Sequence, residues 1–158
     1  MTTATPGAGH DRRDRADQIV TVARQWLGTP YLHQTSVKGA GSDCLGLIRG
    51  IWRDVVGPER VLVPPYTLDW SEPSGQEVLM QAADRLLVRR PDKSLVPGCV
   101  LLFRMRAGMV AKHLGVVSQV SADLKFIHAY TGHGVVESTL SDPWLRRLAA
   151  TYDFPQGA

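Results

Sequence analysis

The sequence predicts an α+β domain, with helices first and an antiparallel β-sheet after them. Three observations carry this expectation. Apolar residues recur at helical spacing as far as Leu87. After Pro97-Gly98 they gather in short runs rich in β-branched, aliphatic and aromatic residues. Gly, Ser, Asp or Thr separates those runs at the intervals of a meander. The 158 residues suit one domain. A chain of this length buries about two-thirds of its unfolded surface without a disulfide or metal staple.

Residues 1–14 read as a polar, flexible tail and 15–158 as a single domain. A first helix is expected from Arg15 to Leu27. Ile19, Val22, Ala23, Trp26 and Leu27 form its apolar face, Asp14 is its N-cap and Gly28 its stop. Thr29 to Asp43 is a loop. A second helix begins at Cys44 and ends near Gly57-Pro58, with Leu45, Ile48, Ile51, Trp52 and Val55 inward. Gly46 and Gly50 within it point to close packing against another element. Residues 58–73 carry four prolines and form a surface excursion, a candidate lid or docking surface. Ser74 and Glu77 match a capping box for a third helix with Val78, Leu79, Ala82, Leu86 and Leu87 on its stripe and Arg89-Arg90 at its end. Strands are expected over Cys99–Met105, Leu114–Val120, Leu124–Tyr130 and Val135–Thr139. A short helix from Ser141 to Leu148 and a last strand from Ala149 to Phe154 follow.

Hydrophobic residues make up 44% and charged residues 21%, which excludes wholesale disorder. A net charge of +3 does not mark a nucleic-acid binder. No apolar run approaches the roughly 20 residues needed to cross a bilayer, so no membrane insertion is expected. The first residues lack the apolar core of a secretory signal, so synthesis in the cytoplasm without a leader is expected. Cys44 and Cys99 without a CxxC exclude a zinc ribbon and a cysteine-stapled scaffold and leave one disulfide arithmetically open.

Cys44 sits where a Gly-containing loop meets a helix. Exposed N–H groups at a helix N-terminus favour a thiolate, the form that attacks carbonyl carbon. The competing reading is a small buried hydrophobe. A nucleophilic cysteine needs a base, and His10, His33, His113, His128 and His133 are the candidates. His10 lies in the tail. His113 and His128 lie on neighbouring predicted strands, where one can act as base while the other orients its ring. Each alone also suits a structural role. His128 and His133 do not complete a zinc set.

In this order the residues resemble the NlpC/P60 cysteine peptidases, and within them the phage and gene-transfer-agent branch. The matching blocks are Gly28-Thr29-Pro30-Tyr31, His33-Gln34, Asp43-Cys44-Leu45-Gly46-Leu47, Pro64-Pro65-Tyr66-Thr67 with Asp69-Trp70, Lys112-His113 and Phe126-Ile127-His128-Ala129-Tyr130. The resemblance implies a papain-like core and hydrolysis of peptidoglycan stem peptides near the D-glutamyl to diamino-acid bond, with no metal and no cofactor. It assigns Cys44 as nucleophile, His113 as base, His128 as orienting residue, Tyr31 as a donor near the oxyanion and Asp43 as a contact for the substrate amine. It also implies phage-tail-like partners and action at the cell wall or periplasm as part of a particle. A thiol acyltransferase or amidase, and a mainly structural tail-tip module, are the alternatives. The chain departs from the family in three places. Leu45 replaces a common serine, Leu32-His33-Gln34 replaces Trp-Gly-Gly, and Cys99 replaces an aspartate. Cys99 reads as a buried filler, with a resolving thiol as the other reading. His33 reads as a surface loop residue, with a place in the cleft as the other.

Overall fold

The computed structural model describes residues 7–67 and 72–157. Its element order is α1 (Gly7–Gln25), β1 (Ser36–Val37), β2 (Gly41–Ser42), α2 (Cys44–Val55), α3 (Val78–Leu86), β3 (Val88–Arg89), β4 (Val100–Arg104), β5 (Ala111–Gln119), β6 (Lys125–Tyr130), β7 (Gly134–Thr139), α4 (Asp142–Arg147) and β8 (Leu148–Asp153). The large sheet has six strands in the order β3-β8-β4-β5-β6-β7. All its pairings are antiparallel. The expected α+β class and meander are therefore present.

α1 and α2 pack on one face. Ile19, Val22, Ala23 and Trp26 meet Leu47, Ile48 and Ile51 over Val100, Leu102, Leu114, Val116 and Ile127. The two glycines of α2 are where backbones and rings close up. A Cβ on Gly46 would lie 1.9 Å from the Thr35 carbonyl oxygen, and one on Gly50 would lie 2.0 Å from the Trp26 ring. The other face is also covered. Cys99, Leu101, Phe103, Val117 and Phe126 pack beneath Leu140, Leu148 and the Trp144 and Leu145 side chains of α4. Alternation along each strand, period two, produces both buried faces.

Four expectations are corrected. α1 starts at Gly7, so the part of the expected tail from residue 7 onward is helical. His10 and Asp14 pair one turn apart at 3.6 Å, and the Arg15 guanidinium donates to the Pro155 carbonyl. Residues 1–6 lie outside the described residues. Leu27 is exposed, off the apolar face. The Ser74–Glu77 capping box does not form. Glu77 turns to the Arg104 guanidinium and accepts the Ala111 N–H at 3.0 Å, a stronger set of partners than its own helix end. Arg89 and Arg90 belong to an edge strand and its end, where Arg90 grips Asp153 with two contacts of 2.8 Å. Asp69 and Trp70 of the Pro-rich block lie outside the described residues.

Substituting Gly46→Ala or Gly50→Ala should cost at least about 2 kcal/mol, because backbone or a buried indole must move. Urea unfolding of each variant tests this; a loss below about 0.5 kcal/mol would show that the helix can shift freely.

Candidate active site

Asp43 holds an extended conformation (φ −98°) and caps α2, its Oδ1 accepting the Gly46 N–H at 2.7 Å. That cap places Cys44 in the first turn of the helix. The thiol donates to the Lys112 carbonyl oxygen at 3.8 Å. Lys112 is the extra residue of a bulge, since Phe103 pairs with His113 and Arg104 with Ala111. The sulfur thus rests against the strand segment that carries His113.

His113 on β5 and His128 on β6 meet through Nε2 and Nδ1 at 2.8 Å. His128 Nε2 meets Ser138 Oγ on β7 at 2.9 Å. Three adjacent strands therefore supply a continuous chain of polar groups. If His113 carries its proton on Nε2 and donates to His128, then His128 donates from Nε2 to Ser138. His113 Nδ1 is left with a lone pair, the state a base requires. The rings sit in an aromatic bed. Trp144 lies 5.6 Å from His113 and 5.2 Å from His128, with Phe103 against the first ring and Phe126 and Tyr130 against the second.

Cys44 and His113 line one cavity of about 230 Å³, together with Tyr31, Asp43, His33, Tyr66 and Met105. Tyr31 arrives there because the loop after α1 is sewn to β7: Gly28 N–H donates to Val135 O and Val135 N–H to Thr29 O, at 3.0 and 2.9 Å. The Pro-rich excursion contributes Tyr66 to this lining. Glu59 near its start is tied to α2 by Arg49 and Arg53, and Tyr66 further along it is tied to the helix cap. The Tyr66 hydroxyl donates to Asp43 Oδ2, while its carbonyl accepts from Gln34 Nε2 at 2.6 Å and meets His33 Nε2 at 2.9 Å. Gln34 adopts φ +59°, the left-handed region, where the resemblance expects a glycine. Its N–H then reaches Asp43 Oδ2 at 2.8 Å. His33 thus lines the cavity and is more than a surface residue.

Burial pushes the Cys44 thiol up to about 12, helped by the nearby Asp43 carboxylate and opposed by the backbone N–H groups of Leu114, Leu45 and Cys44. Burial, with His128 adjacent, lowers His113 to about 3; burial, with His133 nearby, lowers His128 to about 4. The expected acidic thiol is corrected for this conformation. Desolvation outweighs the helix terminus, and the resting pair is a neutral thiol and a neutral imidazole. Tyr31 is raised by burial, against a hydrogen bond with Thr131. Cys99 is buried among the second-face side chains at 1% exposure, and both cysteines are free.

The structure brings Cys44, His113, Tyr31 and Asp43 to the cavity and sets His128 behind His113. Among the described residues no group of three or more His, Cys, Asp or Glu is placed to hold a metal ion. Sequence reasoning assigned no role to Ser138, Trp144 or Tyr66. Ser138 lies ten residues from His128 across a hairpin, so only strand register reveals it. Trp144 is an ordinary apolar position of a short helix. Tyr66 stands out only within a Pro-rich block.

No protein-family model matches the sequence. The chain is 26% identical over 134 residues to the murein DD-endopeptidase MepS/murein LD-carboxypeptidase of Escherichia coli K12, covering 85% of this chain; it spans 60% of that relative's length. Among solved structures it is similar to the NlpC/p60 domain of the peptidoglycan hydrolase SagA, with a TM-score of 0.58, 19% identity and coverage of 88% of this chain and 98% of that one. An NlpC/P60 family protein from Bacillus cereus gives 0.58 at 17% identity over 88% and 40%, and NlpC1 from Trichomonas vaginalis gives 0.53 at 21% over 88% and 43%. The chain has the NlpC/P60 fold, the papain-like α+β architecture that its motifs imply.

Because the thiol is raised, alkylation of Cys44 by iodoacetamide should be slower than that of a free cysteine at pH 7 and should still be rising at pH 10. Site-resolved mass spectrometry reads it; a plateau with a midpoint below pH 7 would establish a preformed ion pair instead.

Proposed function

We propose that this protein is a cysteine peptidase that hydrolyses peptidoglycan stem peptides, with Cys44 as nucleophile, His113 as base and then acid, and His128 as the group that orients His113. One observation carries this reading: a hydrogen-bonded imidazole pair whose first ring shares a cavity with a cysteine at a helix N-terminus. The likeness to the E. coli murein endopeptidase and to the NlpC/P60 fold supports the substrate class.

The chemistry follows from the neutral resting pair. Substrate brings its amide carbonyl to Cys44. His113 Nδ1 takes the thiol proton as sulfur bonds to carbon, so charge develops only when the carbonyl is present to receive it. The oxyanion faces the Cys44 N–H at the helix terminus and the Tyr31 hydroxyl. Protonated His113 then gives its proton to the leaving amine, and water releases the acyl group from sulfur. His128 and Ser138 keep the first ring aimed throughout. Asp43 has both oxygens engaged, so a substrate amine reaches it by displacing the Tyr66 hydroxyl.

The bond proposed is the one between D-glutamate and the diamino acid. The setting proposed is a phage-tail-like or gene-transfer-agent particle that carries the enzyme to the wall. Leu62, 95% exposed between Val61 and Val63, offers such a particle an apolar ridge.

Cys44→Ala should digest purified peptidoglycan at under about 1% of the parent rate, and a comparable rate would end the proposal. Mass analysis of the parent's products identifies the bond, and separates D-glutamyl cleavage from the DD and LD bonds named for the relative. Ser138→Ala should lower kcat about tenfold with KM unchanged, the effect of one lost orienting hydrogen bond. An unaltered kcat would place Ser138 outside the mechanism.

A further inference from the structure

A second cavity, of about 520 Å³, adjoins the first and shares Met105 with it. Lys93, Arg104, Arg146 and Arg147 line it, and no Asp or Glu does. Arg104 is held by Glu77. Lys93, Arg146 and Arg147 have no carboxylate partner among the described residues. Arg147 lies over the Trp144 ring at 5.6 Å, which keeps its charge at the cavity. Three uncompensated cations on one wall favour an anion.

Register fixes where this cavity lies relative to the chemistry. Leu148 pairs with Phe103, and Phe103 pairs with His113. Adjacent strands lie about 4.8 Å apart, so the backbone that follows Arg146 and Arg147 is about 10 Å from that of His113. An extended peptide covers that span in about three residues. Met105 joins the basic wall to the first cavity, and strand pairing places that wall two strands from His113, which the proposed mechanism makes the proton donor to the leaving amine.

The geometry points to a carboxylate subsite on the leaving-group side, in which Lys93 and Arg146, with Arg147, hold a free carboxylate two or three residues beyond the cleaved bond. This rests on the peptidase reading above. In a short stem peptide the fragment that leaves as an amine ends in a carboxylate, and a cationic pocket at that reach selects short, uncrosslinked peptides over long ones. The side chains are exposed, so their charge can be removed without opening the core.

The test uses a synthetic stem tetrapeptide with a free C-terminal carboxylate and the same peptide as its C-terminal amide. With the parent protein, the acid should have a KM about tenfold below that of the amide, and 0.5 M NaCl should erase most of the difference. Lys93→Gln with Arg146→Gln should raise KM for the acid about tenfold and leave kcat, the amide's KM and the thermal midpoint unchanged. Binding of both peptides to Cys44→Ala, followed by NMR, is read separately from turnover. Preference of Cys44→Ala for the acid supports the subsite even if Cys44→Ala still hydrolyses, a result that overturns only the peptidase reading. Equal binding of acid and amide overturns the subsite even if Cys44 proves essential. Equal weakening of both peptides in the double variant also overturns it.

Discussion

Asp43 ends the loop after α1 and begins α2, and both of its carboxylate oxygens are committed. One accepts the Gly46 N–H and starts the helix. The other accepts the Gln34 N–H from the loop and the Tyr66 hydroxyl from the Pro-rich excursion. A single buried anion, 2% exposed, thereby joins three segments that are distant in sequence. Buried charge is tolerated only when hydrogen bonds replace its water, and here they come from each segment the site requires. The same charge stands beside the Cys44 thiol and opposes its ionisation. The device that builds the cleft therefore adds to the burial that chiefly raises its thiol.

The imidazole pair is governed by a different balance. Aromatic side chains exclude water from His113 and His128, which lowers both and leaves the rings uncharged. With charge unavailable, direction comes from hydrogen bonds alone, and the chain ending at Ser138 supplies it. The two faces of the sheet divide the work. The face under α1 and α2 seats the cysteine's helix, and the face under α4 beds the histidines.

Much of this architecture was legible in the residues. The order of helices and strands, the stop at Gly28, the cap at Asp43 and the close-packing glycines of α2 all follow from local chemistry that acts within a few residues. Local reasoning failed where a long-range partner outbid a local one. Glu77 has the spacing of a capping box but binds Arg104 and the Ala111 N–H. The charged stretch before Arg15 has the composition of a tail but continues a helix whose Arg15 reaches Pro155. The charge state of Cys44 was not legible for a related reason. A helix terminus is visible in sequence, but the depth at which a sulfur is buried is not.

By itself the sequence determined the fold class, most of the elements and Cys44, His113 and His128 as candidates, because hydrophobic period and residue chemistry are properties of short segments. Only the tertiary structure decided that Ser138 extends the histidine chain, that Tyr66 lines the cavity and that Lys93, Arg146 and Arg147 share a second cavity beside it. Those relations depend on strand register and loop path. Both are set by the packing of the whole sheet, which brings residues together irrespective of their distance along the chain.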